Sequence, residues 1–215
     1  RDGKLYVTSG DRNYGEMVQK PDNDFGKIMR INADGSIPKD NPFVRKKGWK
    51  PEIWTTGHRN PLGLTIDSAT GRMWETEFGP RGGDEVNLIE KGKNYGWIEV
   101  TQGKHYNGEP AKGVKNVPGM TDPVLTYLPN SLNPGNPAFY DGAAFPAWKG
   151  DFLLPSFTKG LLRYDTEGGA PGGEPEYLLG DLKQRLRSVA IGPKGELYVL
   201  TDETDGALLK VTPGG

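Results

Sequence analysis

Pro193-Lys194-Gly195-Glu196-Leu197-Tyr198-Val199-Leu200 is a tight turn followed by a short apolar strand, and this form decides the fold. The same form recurs at three earlier places in the chain, at 2–8, 68–74 and 148–154. Most copies precede a further strand that mixes apolar and basic residues, at 26–31, 160–164 and 207–211. A recurring two-strand phrase with irregular spacing is typical of a β-propeller, in which four-stranded sheets repeat around an axis. We therefore predict an all-β propeller, with each turn and strand forming the second strand of a repeat unit.

The number of repeat units follows from the chain length. Propeller blades take about 40 to 50 residues each, so we expect the 215 residues to hold about four blades, two of them incomplete. A β-sandwich also contains short strands between turns, but the recurrence of one phrase favours the propeller. A closed four-bladed ring is possible. The abrupt start, one residue before a turn into a strand, favours a larger ring that is cut open.

The composition narrows the class of protein. The chain has 32 Gly and 18 Pro, but also 5 Trp, 9 Tyr and 7 Phe, which favours a turn-rich folded protein over a disordered one. A net charge of -1, without long runs of one sign, argues against nucleic acid or an anionic membrane as the main partner. We predict a soluble mature chain without a membrane span, because no apolar stretch is long enough. The absence of cysteine excludes disulfides, thiolate metal sites and a cysteine nucleophile.

Three sequence motifs, which occur in a fixed order, resemble those of a known protein family. Residues 25–43 read FGKIMRINADGSIPKDNPF, residues 57–64 read GHRNPLGL, and residues 77–89 read EFGPRGGDEVNLI, leading into Asn94-Tyr95-Gly96-Trp97. Together they resemble the soluble quinoprotein glucose/sorbosone and aldose dehydrogenases, and the similarity extends to the last strand. The resemblance implies a six-bladed propeller whose cofactor, pyrroloquinoline quinone (PQQ), lies over the central channel. About two N-terminal blades are then missing, and the remainder of the propeller is a partner of this chain.

The quinone needs cationic partners, because PQQ is a planar ortho-quinone with three carboxylates. Arginine suits this task, since its guanidinium meets a carboxylate through two hydrogen bonds and stays charged. Arg185 and Arg187 flank Leu186, so on a strand both arginines project from one face. An isolated pair of this kind would be solvated charges on an edge strand, but the resemblance implies that the two bind the cofactor. It also implies that Arg59 and Asn60, in the His-Arg-Asn-Pro turn, hydrogen-bond the reactive quinone carbonyls.

Two segments depart from the family pattern. Thr158 stands where glucose enzymes carry a quinone-binding lysine, and Lys159 follows one residue later. If this segment is a strand, Lys159 points to the opposite face unless the strand bulges. The loop 130–136 matches a cofactor-contacting loop of the family loosely. Phe78 replaces a residue that is commonly polar in the family, which bears on the substrate pocket.

Calcium is the second cofactor that the resemblance implies. The backbone carbonyls of Gly79 and Pro80 match those that bind the calcium bridging protein and quinone, and calcium prefers oxygen ligands. A further calcium site corresponds to the side chain of Glu85 and to backbone near Tyr95 and Tyr106. From the residues alone, the acidic side chain at 85 belongs to an ordinary acid pair in a turn.

The catalytic base is expected outside this chain. Asp11 matches an aspartate that, in the family, orients a catalytic histidine lying one strand earlier, before residue 1. His58 is not that base and is interpreted as a turn histidine satisfied by backbone partners. The chain is either a fragment of a longer enzyme or a truncated propeller that no longer catalyses. We favour the fragment, because the other site residues are retained, and we expect the printed chain alone to be inactive.

The resemblance thus implies oxidation of an aldose at its anomeric carbon to a lactone, with hydride transfer to PQQ and onward transfer to an external electron acceptor. It also implies a periplasmic or secreted location. One alternative is a non-catalytic propeller that binds a partner or a sugar through its top face. Another is a metal-dependent lactonase, which requires inward-pointing carboxylates and asparagines around one metal instead of arginine pairs.

Overall fold

The structure is a computed structural model that describes residues 2–107, 113, 115–166 and 169–213. Nearly all regular structure in it is β-strand, apart from a single turn of α-helix, α1 (Gly15–Val18), and 3-10 turns at Pro146–Trp148 and Gly180–Leu182. The strands are β1 (Lys4–Ser9), β2 (Lys27–Asn32), β3 (Ile53–Thr56), β4 (Pro61–Ile66), β5 (Met73–Glu77), β6 (Asp84–Ile89), β7 (Leu125–Tyr127), β8 (Ala138–Phe139), β9 (Phe152–Ser156), β10 (Gly160–Tyr164), β11 (Glu176–Leu178), β12 (Leu186–Ile191), β13 (Leu197–Thr201) and β14 (Leu208–Val211). Among these residues the helices are too short to cross a lipid bilayer.

The strands form antiparallel meanders in which each strand pairs with its neighbours along the chain. The first sheet has the order β1-β2-β3, the second β4-β5-β6-β7, the third β8-β9-β10-β11 and the fourth β12-β13-β14. The first strands of successive sheets contact one another, β1 with β4, β4 with β8, and β8 with β12. This arrangement confirms the predicted propeller with about four blades, of which two have three strands in the described part of the chain.

The predicted repeat corresponds to β1, β5, β9 and β13. Three of these are second strands of their sheets, as predicted, whereas β1 stands first among the described strands of its sheet. Gly71 (φ +75°) and Gly195 (φ +80°) occupy the turns before β5 and β13. A side chain is disfavoured at such positive φ, which explains why the phrase keeps a glycine before each strand.

The core lies between the faces of neighbouring sheets. Strands β5 and β9 are buried along their whole length. The second and third sheets pack through one apolar cluster: Trp74, Val86, Leu132, Phe139, Phe152, Leu154, Leu162 and Tyr164. The third and fourth sheets pack through another: Tyr140, Leu153, Leu161, Leu186, Val189, Leu197 and Val199. Burial of a large apolar side chain contributes about 1.5 to 3 kcal/mol, so these clusters fix each sheet against the next.

Candidate functional site

The Arg59–Asn60 turn connects β3 to β4 and is anchored by Glu77 at the end of β5. The Glu77 Oε2 atom accepts hydrogen bonds from two successive backbone N–H groups, those of Arg59 and Asn60, the latter at 3.1 Å. The Glu77 side chain is buried. Pairing of β4 with β5 places Pro61 opposite Glu77, which brings the carboxylate to the turn. Sequence reasoning did not find Glu77, because this contact exists only once the two strands pair.

The Arg59 guanidinium lies without a carboxylate partner among the described residues. Its Nη1 donates to the Phe78 carbonyl at 2.9 Å and its Nη2 to the Tyr106 hydroxyl at 3.1 Å. The Nε atom is buried and has no hydrogen-bond partner in the described structure. The charge lies 5.4 Å from the centre of the Trp97 ring. Arg59 therefore presents its guanidinium to the cleft beside it without a direct ion pair in the described part of the chain.

Asp11 lies in the same cleft as Arg59. This cleft has a volume of about 150 Å³, and its lining includes Trp97, His105 and Tyr106. The Trp97 indole donates to Asp11 Oδ2 at 2.7 Å, and the backbone of Asn13 donates to Oδ1 at 3.0 Å. These bonds fix the carboxylate and leave lone pairs for a further donor. His105 was not singled out from the sequence, and only the folded loop brings it to this cleft.

The arginine pair, Arg185 and Arg187, converges on one carboxylate. Arg185 Nη2 lies 2.6 Å from Asp202 Oδ2, and Arg187 Nη2 lies 2.8 Å from Oδ1. Leu186 between them is buried in the core, as the alternation of a strand predicts. Both guanidinium groups also lie over the Phe157 ring, at 4.4 and 5.0 Å. The Glu203 carboxylate also accepts a hydrogen bond from the Arg185 backbone N–H at 2.9 Å, so two carboxylates lie beside the two guanidinium groups.

Thr158 and Lys159 lie in the turn from β9 to β10. The expectation that they alternate along a strand is therefore wrong, because residues 157–159 are not extended. Thr158 lines a cleft of about 240 Å³ together with Phe78, Asn133, Phe157 and Arg185. Lys159 is exposed and is not part of that lining. The loop 130–136 reaches the cleft through Asn133.

Phe78 joins the two clefts. Its ring packs edge-on against Phe157 with the centroids 5.6 Å apart, and its carbonyl accepts the hydrogen bond from Arg59. A chain of contacts therefore leads from Arg59 through Phe78 and Phe157 to the arginine pair. Phe78 was noted in the sequence as a departure from a polar residue, and the structure gives it this packing role.

Asp84 organises the Gly79–Pro80 turn. The backbone of Gly79 donates to Asp84 Oδ1 at 2.8 Å and the backbone of Asn133 donates to Oδ2 at 2.7 Å. Burial raises the pKa of Asp84, although these backbone donors act against the rise. The carboxylate thus holds the turn and the loop 130–136 together.

A cavity of about 10 Å³ lies beneath this turn, and its lining includes Gly79, Glu77, Glu85 and Tyr95. Such a volume accommodates about one water molecule or ion. Burial and the nearby Glu77 carboxylate raise the pKa of Glu85 well above its ordinary value. Tyr106 is not part of this lining, because its side chain is 62% exposed and contacts Arg59 instead.

His58 is fully buried, and the expectation that backbone groups satisfy its ring is wrong. Its Nε2 lies 2.9 Å from the Thr55 hydroxyl, and its ring stacks on Tyr95 with the centroids 4.8 Å apart. Only its backbone N–H bonds to a backbone carbonyl, that of Gly26, at 3.1 Å. A ring in this position cannot meet a substrate in either cleft.

The chain also matches a known protein family and individual known proteins. The sequence profile described as "Glucose / Sorbosone dehydrogenase" matches residues 1–210. The chain belongs to the glucose/sorbosone dehydrogenase family. It is 40% identical over 214 residues to aldose sugar dehydrogenase YliI of Escherichia coli (strain K12), covering 98% of this chain and 57% of that protein.

Solved structures of this family resemble the chain closely. A crystal structure of a glucose dehydrogenase superposes with a TM-score of 0.94 at 44% identity, over 100% of this chain and 62% of the other. The PQQ-bound aldose sugar dehydrogenase from Streptomyces coelicolor superposes with a TM-score of 0.73 at 26% identity, over 96% of this chain and 57% of the other. The chain therefore spans less than two thirds of the length of these relatives.

Proposed function

We propose that the whole protein oxidises an aldose sugar at its anomeric carbon to the lactone, with PQQ as the bound oxidant and Ca²⁺ as its metal. The family and the similarity to a PQQ-bound structure support the oxidoreductase class. The observation that carries the proposal is the convergence of Arg185 and Arg187 on one carboxylate, beside a cleft that Phe78, Phe157 and Thr158 line. A flat anion with three carboxylates is the ligand that such an arginine pair would hold.

The described residues fit the quinone. Arg185 and Arg187 already bind one carboxylate, that of Asp202, in the geometry that a ligand carboxylate would take. Thr158 borders the same cleft, and Lys159 lies on the turn beside it. When bound, PQQ supplies a two-electron acceptor for hydride. Arg59 and Asn60 would face its reactive carbonyls, where a fixed positive charge stabilises the negative charge that develops on oxygen.

The described residues also fit calcium. Gly79 and Pro80 offer backbone carbonyls in a turn that Asp84 fixes, and carbonyl oxygens are ligands that Ca²⁺ accepts. A second ion would lie in the small cavity lined by Glu77 and Glu85, with Tyr95 at its edge. Burial, and after it the neighbouring Glu77 carboxylate, raises the pKa of Glu85, and a bound cation would favour the ionised form.

The base that removes the hydroxyl proton is proposed to lie in the part of the protein outside these 215 residues. Asp11 would hold that base in the correct tautomer and stabilise its protonated form, as a carboxylate does for histidine. His58 cannot replace it, because its ring is fully buried. We therefore expect the printed chain alone to be inactive, with the remainder of the propeller completing the site. A periplasmic or secreted location and the external electron acceptor stay predictions.

The test uses the full-length protein reconstituted with PQQ and Ca²⁺. We expect stoichiometric quinone binding, followed by absorbance, and aldose oxidation in the presence of an artificial electron acceptor. Arg59→Ala should lower kcat by about 100-fold, the typical effect of removing one charge-stabilising donor. Arg45→Ala is the matched control, because Arg45 is exposed and lines neither cleft. Absence of quinone binding by the wild-type protein would refute the proposal.

The two alternatives predict different outcomes of the same experiment. A non-catalytic binding propeller would bind a sugar or a partner without binding PQQ. A lactonase would bind a metal without quinone and hydrolyse a lactone. Carboxylates and an asparagine do cluster at Glu75, Glu77, Glu85 and Asn87, but this cluster lies beneath the surface while the arginines face the clefts. The structure therefore favours the dehydrogenase.

A further inference from the structure

A buried polar cluster, formed by His58, Glu75 and Glu77, lies behind the Arg59–Asn60 turn. The side chains are 0%, 0% and 4% exposed. Glu75 and Glu77 are two residues apart on β5, so both point to the same face of the strand. His58 approaches that face from the connection between β3 and β4. Neither His58 nor Glu75 has a role in the proposed oxidation.

The three side chains face a common gap. His58 Nδ1 lies 3.9 Å from Glu75 Oε2 and 3.8 Å from Glu77 Oε1. One ligand atom from each residue lies within 4.8 Å of the other two. A charge-assisted hydrogen bond between imidazolium and carboxylate would be about 2.7 to 2.9 Å long. The observed distances are too long for such bonds.

Several polar atoms of this region lack a partner. In the described structure, His58 Nδ1, Glu75 Oε1 and Asn87 Oδ1 are buried without a hydrogen bond. Asn87 Nδ2 is the donor near the carboxylates, at 3.0 Å from Glu75, 3.4 Å from Glu77 and 3.2 Å from Glu85. An amide nitrogen has two hydrogens, so it cannot serve three carboxylates. Buried charges require a proton, a partner or a cation.

The types of ligand atom in this cluster indicate which cation it would bind. Imidazole nitrogen with carboxylate oxygens suits Zn²⁺ or Mn²⁺, whereas Ca²⁺ prefers oxygen alone. With bonds of about 2.0 to 2.2 Å, neighbouring ligand atoms of a tetrahedral ion lie about 3.4 Å apart. The distances of 3.9 and 3.8 Å from His58 Nδ1 are slightly longer than this spacing, so small side-chain rotations would close the site around an ion. Rotation of the Asn87 amide would add its unpartnered oxygen as a fourth ligand.

We propose that His58, Glu75 and Glu77 form a buried structural site for one divalent transition ion, Zn²⁺ or Mn²⁺. The ion would join the turn that carries Arg59 and Asn60 to strand β5. The site shares Glu77 with the small cavity beneath the Gly79–Pro80 turn, whereas His58 and Glu75 line neither that cavity nor either cleft.

The test measures metal binding by the full-length protein, with any affinity tag removed. After chelator treatment, calorimetric titration with ZnCl₂ and with MnCl₂ should give one tight site that excess Ca²⁺ does not displace. Glu75→Gln keeps the side-chain shape and should weaken binding at least 100-fold, as should His58→Gln. Glu90→Gln is the matched control, because Glu90 is exposed and lies outside the cluster, and this variant should bind the ion as the wild-type protein does. X-ray absorption of the bound ion should show nitrogen and oxygen neighbours.

Two results would overturn the proposal. One is that the wild-type protein binds neither ion at saturating concentration, and the other is that Glu75→Gln binds the ion with unchanged affinity. A carbonyl-stretch infrared band of a protonated acid that disappears in Glu75→Gln, in a protein free of metal, would show that the cluster holds a proton instead. If His58→Gln does not fold, as judged by circular dichroism, Glu75→Gln alone decides the test.

Discussion

Two charged regions of this propeller differ in their environment. The glutamate cluster consists of Glu75, Glu77 and Glu85, and the arginine pair consists of Arg185 and Arg187. The glutamate cluster is enclosed and shares one amide donor, that of Asn87. The arginine pair is about half exposed, at 51% and 42%, and shares one carboxylate. Buried charge is costly without a counter-ion, whereas exposed charge costs little. We therefore expect the first region to determine stability and to hold the proposed cation, and the second to determine binding of the proposed anionic cofactor.

We expect the largest effect on cofactor binding from the double variant that combines Arg185→Ala with Arg187→Ala. Charge-assisted hydrogen bonds contribute about 1.5 to 3 kcal/mol each, so the dissociation constant for PQQ should rise by about 10² to 10⁴. The melting temperature should hardly change, because the side chains are half exposed and surface ion pairs stabilise little. Quinone titration followed by absorbance and differential scanning fluorimetry measure the two quantities. A large loss of thermal stability with unchanged quinone affinity would contradict the assignment of cofactor binding to the arginine pair.

The next effect concerns Glu77→Ala in the glutamate cluster. The substitution leaves the buried N–H groups of Arg59 and Asn60 without their acceptor, so the free energy of unfolding should fall by about 2 kcal/mol. Urea unfolding gives the value, and kcat/KM of the reconstituted enzyme should fall with it.

Glu77→Gln is the control for that substitution, because it keeps an acceptor oxygen and removes the charge. It should retain most of the stability that Glu77→Ala loses, since relief of repulsion with the neighbouring glutamates offsets the weaker hydrogen bonds. Equal stability of the wild-type protein and Glu77→Ala would contradict the anchoring role.

A buried lysine outside both regions shows how burial changes the pKa of a cationic side chain. Lys27 is fully buried, and its Nζ donates to the carbonyls of Val18 at 2.6 Å and Phe25 at 2.7 Å. Burial lowers the pKa of Lys27 from 10.5 to about 8. Between these two pH values the unfolded chain binds more protons than the folded chain, so this group makes the free energy of unfolding rise with pH. Below pH 8 its destabilising effect is present in full.

Lys27→Met should therefore remove a pH-dependent contribution on the order of 2 kcal/mol. Urea unfolding at pH 7.5 and pH 9.5 measures the slope in both proteins. The difference between wild-type protein and variant isolates Lys27, because tyrosines and other groups titrate in both. The two lost hydrogen bonds add an offset that does not depend on pH. Identical slopes would show that Lys27 stays charged in the fold.

The smallest expected effect concerns Phe157, the ring beneath both arginines. Cation–π contacts contribute about 0.5 to 1 kcal/mol each when exposed, so Phe157→Leu should weaken quinone binding by about 3- to 10-fold. Tyr177→Leu, which alters an exposed aromatic residue on β11, should leave the affinity unchanged. A loss as large as that of the double arginine variant would mean that Phe157 positions the arginines instead of only supporting them.

The repeat and the arginine pair were predictable because they depend on local pattern. A glycine turn before each apolar strand identified the propeller, and alternation around Leu186 placed both arginines on one face. Glu77, Asp84 and Asp202 were missed, because their partners become neighbours only when strands pair and turns close. Asp202, for example, follows β13, and its backbone bonds to that of Arg185 across the strand pair at 2.8 Å.

Errors arose where a residue's position depended on the path of a turn. Lys159 was judged by strand alternation, but it lies in a turn where that rule does not apply. The Tyr106 side chain contacts Arg59, and the expectation that backbone near Tyr106 binds a metal stays a prediction. The role of Thr158 in binding quinone stays a prediction, although its place in the cleft is clear.

The first and fourth sheets each carry apolar side chains that no other described strand covers. Leu5 and Val7 on β1 are 50% and 43% exposed, and Leu208 on β14 is 67% exposed. Edge strands with uncovered apolar residues promote association between chains. When produced alone, this polypeptide should form oligomers or precipitate as its concentration rises. Supplying the rest of the proposed propeller as a separate polypeptide should restore solubility, so recovery of soluble protein gives a simple assay for the proposed ring closure.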